Sequence, residues 1–206
     1  MPASLGLASS MHLSLTYTAF FVLFTISMAF SIYAATTPDF LRVSKVPLFN
    51  TLSISFGLFQ NCITSGSTTT CSEFPTKDCH ISLPQHIDDD MSLCQSFLSA
   101  RWLEIGALAF GSLAWLTWLA MINQTTRAAA VGACLWCTAV HATCQIIINV
   151  LMFKRREDPM FYIGGDFGVS HSFTTASWVL DLFLVAMLCV ALLMRRNPVY
   201  VYVAIP

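Results

Sequence analysis

Four apolar runs constrain this chain more than any motif in it, because each is close to the roughly 20 residues that carry an α-helix across a bilayer. They lie at about Leu15 to Ala35, Leu103 to Ile122, Ala128 to Met152 and Ala176 to Met194. Hydrophobic residues make up 56% of the chain and charged residues 10%, against the roughly one-quarter charged residues of a soluble domain. The expectation is an α-helical membrane protein, a four-transmembrane-helix bundle occupying residues 1–206 as one domain. A formal net charge of −1 offers no basic surface for nucleic acid. The lipid bilayer and other membrane proteins are the expected partners. The first run could serve as a secretory signal, but Met1 to Ser14 supplies no Lys or Arg to lead one, so a retained helix is expected.

An even number of crossings puts both termini on one side and the first and third connections, at about residues 36–99 and 153–175, on the other. The long first connection carries Cys62, Cys71, Cys79 and Cys94, which persist as disulfides only in an oxidising compartment. That places the termini in the cytosol and these two connections outside. Basic residues lean the other way: Lys154, Arg155 and Arg156 fall on the outer side, and Arg127, Arg195 and Arg196 on the inner. The cysteines decide the orientation, since long loops translocate largely regardless of charge.

The first connection reads as strand. Leu52, Ile54, Phe56 and Leu58 alternate with Ser53, Ser55 and Gly57, as in a half-buried sheet. Turn-forming residues fill Ile63 to Thr70, so Cys62 and Cys71 flank a hairpin and can face each other at disulfide distance. A small sheet with so little core needs such a staple. One further strand is expected from the third connection.

These residues carry a resemblance. Gly57-Leu58-Phe59 followed by Cys62 and Cys71 is similar to the Gly-Leu-Trp, Cys, Cys signature in the first extracellular loop of the claudin, epithelial membrane protein and peripheral myelin protein superfamily. Phe40, in "TPDFLRV", stands where that family has an early loop Trp; "SARWLEIGAL" resembles its entry to the second span, with Arg101 at its Arg; and "GGDFGVSHSFTTASW" resembles its short second extracellular loop. Phe replaces Trp at both landmarks, two further loop cysteines are present, and Tyr202-Val203 is followed by Ala204, Ile205 and Pro206 rather than ending the chain as in many claudins. The resemblance implies a claudin-like fold, with a disulfide-stapled extracellular antiparallel sheet on the bundle.

Other features have plainer readings. Cys79 and Cys94 are expected to form a second staple, although four cysteines allow three connectivities. A zinc site built on His80 or His86 matches no common ligand spacing. "CLWC", Cys134 to Cys137, lies inside an apolar helix with no strand before it, so packing is expected rather than redox chemistry. Ionisable residues inside a span are functional candidates until paired. Arg101, Glu104 and Asp181 are read as a charge cluster at the membrane boundary holding the second and fourth helices to the sheet, with a cation site or partner contact as the alternative. His141 is read as a hydrogen-bonded bundle residue rather than a proton relay. Ala107 with Gly111, Ala128 with Gly132, and Ala129 with Ala133 have the spacing of close helix packing, expected inside the bundle. Asp88 to Asp90 reads as a solvated run, and the Asn123-Gln124-Thr125 sequon as unglycosylated on the inner side. No nucleophile with base and orienter, phosphate-binding Gly loop or convincing metal-ligand cluster is legible, so no enzyme, cofactor or metal is expected.

What the resemblance implies is cell adhesion or a paracellular barrier at cell junctions of the plasma membrane, through lateral self-assembly in one membrane and loop contacts across two. Met160, Phe161 and Tyr162, in the third connection, are the candidate partner contacts. The alternative is a regulatory or membrane-organising tetraspan that binds another membrane protein in cis, like channel-associated and myelin-type members or the tetraspans of fungal cortical patches.

Overall fold

A computed structural model describes residues 3–43, 52–74, 90–122, 127–156 and 165–196. Its elements are α1 (Ala3–Thr36), β1 (Leu41–Val43), β2 (Leu52–Phe56), β3 (Gln60–Ser65), β4 (Thr68–Glu73), α2 (Asp90–Ile122), α3 (Arg127–Arg156), β5 (Gly165–Phe167) and α4 (Val169–Arg196). Within the helices, Leu15–Thr36, Cys94–Ile122, Ala129–Arg155 and Val169–Leu193 are each long and apolar enough to cross a membrane. The four pack as a bundle in which α1 touches α2 and α4, and α3 touches the same two.

Several helix ends extend beyond the hydropathy reading: the first helix starts at Ala3 rather than Leu15, and the third runs to Arg156 rather than Met152. The second helix starts at Asp90 rather than near Leu103, so the end of the expected outer loop is helical. The fourth starts at Val169 rather than Ala176. Hydropathy detects where a helix is soluble in lipid, whereas the backbone stays helical through the more polar turns that continue it.

The strands form one antiparallel sheet in the order β4-β3-β2-β1-β5 at one end of the bundle. The alternation read from the sequence is realised: Ile54, Phe56 and Leu58 are buried, while Ser53 and Ser55 are partly exposed. The hairpin is tighter than the turn-forming run suggested. Strands continue to Ser65 and from Thr68, leaving a two-residue turn whose Gly66 has φ of 60°, a conformation open to glycine. Threonine explains the difference, since its β-branched side chain suits an exposed strand as well as a turn.

Two apolar cores result. One joins the sheet to the bundle through Phe40, Phe56, Leu58, Phe74, Phe97 and Met152. In it the Phe56, Phe74 and Phe97 rings meet at centroid distances of 5.1 to 6.2 Å. The other fills the opposite half of the bundle around Phe24, Trp118, Met121, Cys134 and Leu184.

Candidate functional site

The outer face of the sheet is built by its turns and staple. Cys62 and Cys71 stand opposite each other on β3 and β4 and are disulfide-bonded. All six residues of β4 are exposed, and Thr64 and Thr69 share a cross-strand hydrogen bond of 3.1 Å. Cys94 is fully buried and disulfide-bonded, while Cys79 lies outside the described residues. Met160, Phe161 and Tyr162 lie outside them too, as do His80, His86 and the sequon.

The motif residues hold the sheet to the helices. Phe40 is fully buried, donates its backbone N–H to Phe56 O, and packs edge-on against His171. Gly57 allows a close crossing, since a Cβ there would sit 2.6 Å from Pro38 Cα and 3.0 Å from two backbone oxygens. Leu58 is fully buried, and Phe59 lies beneath the Arg101 guanidinium at 4.9 Å. Asp39 clamps the two connections together. Its carboxylate accepts from Arg42 at 3.0 and 3.1 Å and from the Val169 N–H at 3.2 Å, which caps the first turn of α4. Gly168 passes so close to Asp39 that a side chain could not fit.

The membrane-boundary charge cluster is not formed as the sequence suggested. Arg101 turns to the sheet, meeting Glu73 at 3.5 Å, while Glu104 and Asp181 lie deeper. Sequence spacing placed Arg101 beside Glu104, but the contact of Arg101 with Glu73 comes from a strand distant in sequence. Asp181 is the central residue of the Val169–Leu193 span.

Between the two cores lies a polar layer drawn from all four helices: Ser27 and Ser31 of α1, Glu104 of α2, His141 and Gln145 of α3, and Ser177 and Asp181 of α4, every one fully buried. His141 Nδ1 lies 2.6 Å from Asp181 Oδ2 and Nε2 lies 3.2 Å from Ser31 Oγ. Ser27 donates to Asp181 Oδ1 at 2.7 Å. Ser177 Oγ lies 2.9 Å from Ser27 Oγ and 3.1 Å from Ser31 Oγ. Gln145 Nε2 donates to Ser31 Oγ at 2.9 Å and to the two Glu104 oxygens at 3.2 and 3.1 Å. His141 is therefore hydrogen-bonded, as expected, and two carboxyl groups, Asp181 and Glu104, accompany it in the layer. The signal was present: Ser27 with Ser31, His141 with Gln145, and Ser177 with Asp181 are polar pairs at i,i+4 within apolar runs, each on one helix face.

The small residues divide. Gly111 packs against Met28 and His141 inside the bundle, whereas Ala129, Gly132 and Ala133 face outward on α3, a correction to their expected burial. Cys134 and Cys137 are free thiols buried in the core around Trp118, in the half of the bundle away from the sheet. Among the described residues no group of His, Cys, Asp and Glu has the arrangement to hold a metal ion. The chain matches no family model and no curated protein.

Proposed function

We propose that the chain is a claudin-like, multi-pass protein of the plasma membrane, with cytosolic termini and an extracellular sheet, acting in cell–cell contact as an adhesion or barrier component rather than as an enzyme. One observation carries this reading: β5, from the connection between α3 and α4, pairs with β1 and completes a sheet otherwise made by the connection between α1 and α2. The two connections proposed to be extracellular therefore form one stapled body. A preorganised surface pays little ordering entropy on binding, which suits recognition across a gap between membranes. Exposed β4 and the Gly66 turn present that surface to solvent.

The test is a mixed culture of cells lacking native junctions, in which tagged protein is expressed in some cells only. Enrichment where two expressing cells touch, and not where an expressing cell meets a bare one, is the expected result. Uniform distribution would overturn the contact function.

A second reading, regulation of another membrane protein in cis, draws on the outward notch of α3. A Cβ added at Gly132 meets nothing within 4 Å, and Ala129 and Ala133 flank it, leaving room for a neighbouring helix to approach. Crosslinking from position 132 to a different membrane protein, together with uniform surface distribution, would favour this reading.

A further inference from the structure

Glu104, His141 and Asp181 are the titratable groups of the polar layer, and the contact function uses none of them. Facing them are Phe24, Ser27, Met28 and Ser31 from α1, Gly111 from α2, Gln145 from α3 and Ser177 from α4. The Cys144 thiol of α3 is within electrostatic reach of Glu104. The ion pairs of the described residues put no Lys or Arg on either carboxylate; His141 is the cationic partner available to Asp181.

Hydrogen-bond direction identifies the protonation state that this arrangement suits. An amide N–H only donates, so Gln145 Nε2 facing both Glu104 oxygens suits an ionised Glu104, in which both oxygens accept. Ser31 Oγ accepts from the same nitrogen, so its hydroxyl hydrogen is free to turn to His141 Nε2 or to Ser177 Oγ; turned to Nε2, it pairs with an unprotonated acceptor. Nδ1 carries the ring hydrogen and donates to Asp181. Counted this way, the layer holds two carboxylates and a neutral imidazole, a charge of about −2, and among the described residues no Lys or Arg pairs with either carboxylate.

Gln145 Oε1 supplies an independent observation: among the described residues this buried acceptor has no hydrogen-bond partner. The amide oxygen and nitrogen are nearly isosteric, so a half-turn of the carboxamide exchanges their places without repacking. Oε1 then accepts from a protonated Glu104 and from the Ser31 hydroxyl. Ser31 Oγ in turn accepts from His141 Nε2–H, and the imidazolium still donates from Nδ1 to Asp181. Every bond in the chain is reversed as far as the imidazole, and the layer is neutral.

We propose that Glu104, Gln145, Ser31, His141 and Asp181 form an intramembrane proton-binding site that takes up two protons together, one on Glu104 and one on His141 Nε2. Both protons come from solution, forming one O–H and one N–H bond. Their coupling is the shared reversal of the hydrogen bonds through Gln145 and Ser31. This inference rests on the membrane reading of the four helices and is independent of the contact function.

The experiment uses the full chain in lipid nanodiscs, titrated with pH. Infrared spectroscopy follows the carboxylic acid C=O stretch, and nitrogen NMR of labelled histidine follows His141. A band that Glu104→Gln abolishes is expected to grow over the pH interval in which His141 becomes doubly protonated. Gln145→Met, which keeps the volume and removes the amide, is expected to separate the two transitions. Ser31→Ala breaks the same chain with a smaller change and should separate them as well. Coincident midpoints in the folded Ser31→Ala protein, or a carboxylic acid band that Glu104→Gln leaves intact, would overturn the proposal. A wild-type chain that fails to insert into nanodiscs would remove the membrane reading and this inference with it, whereas inserted protein without the band overturns the inference alone.

Discussion

At the scale of single residues, glycines separate close packing from open space. A Cβ at Gly57 would press on Pro38 and on the backbone oxygens of Thr37 and Gln60, none of which can yield without moving the strand junction. Gly57→Ala should therefore lower stability by about 1–3 kcal/mol, the range for a backbone-displacing substitution. At Gly106 an added Cβ meets nothing, and alanine is the better helix former, so Gly106→Ala should be neutral or stabilise by up to about 1 kcal/mol. Thermal unfolding of the two purified variants in the same detergent checks both, and equal midpoints would remove the packing argument. Part of this was legible in the sequence. Gly57 stood out as the first residue of the Gly57-Leu58-Phe59 motif, whereas the close approach of Gly168 to Asp39 was invisible, since it joins residues far apart in the chain. Arg101, Glu104 and Asp181 were legible as individual charges. Their partners were not, because i,i+3 spacing describes one helix, while Gln145 and His141 come from another helix and Glu73 from strand β4.

At the scale of elements, the β3–β4 hairpin depends on its covalent link more than the rest of the sheet does. β4 is exposed along its whole length and adds almost no apolar burial, so strand pairing and the Cys62–Cys71 bond hold it in place. In the chain-entropy model, a closed loop with a sequence separation of 9 contributes about 2–3 kcal/mol. Replacing both cysteines by alanine should speed hydrogen exchange at β3 and β4 amides while α2 and α3 keep their protection. Faster exchange throughout the bundle would mean that the sheet and helices unfold as one unit. The hairpin was readable because its strands are adjacent in sequence and its cysteines mark the register. The pairing of β5 with β1 was expected as a strand from the third connection, but its register was not, since Asp39 and Arg42 set it through contacts with Val169 and the opposing strand. Helix lengths were under-read for a different reason: the segment from Asp90 to Trp102 has mixed polarity, so the most apolar stretch starts only near Leu103, although the backbone continues the helix back to Asp90.

At the scale of the whole molecule, orientation is where two physical signals compete. All four sheet-end helix termini, the disulfide and the side chains of Lys154 and Arg155 lie at the same end of the bundle. A cytosolic position for that end would satisfy the bias of basic residues toward the inner side, but it would expose the disulfide to a reducing compartment. The bias is set by several weak contributions near the membrane surface, and Arg155 here is partly engaged with Ser96 at 2.8 Å rather than free to interact with lipid headgroups. Loss of the staple would instead weaken a strand with little burial of its own. The oxidising side is therefore the location we propose for the sheet. An epitope inserted between Gly66 and Ser67, at an exposed loop tip that tolerates insertion, should bind antibody on intact cells, whereas amino- and carboxy-terminal epitopes should stain only after permeabilisation. Staining of the terminal epitopes on intact cells, with the turn epitope silent, would reverse the orientation and require the disulfide to form without the secretory pathway.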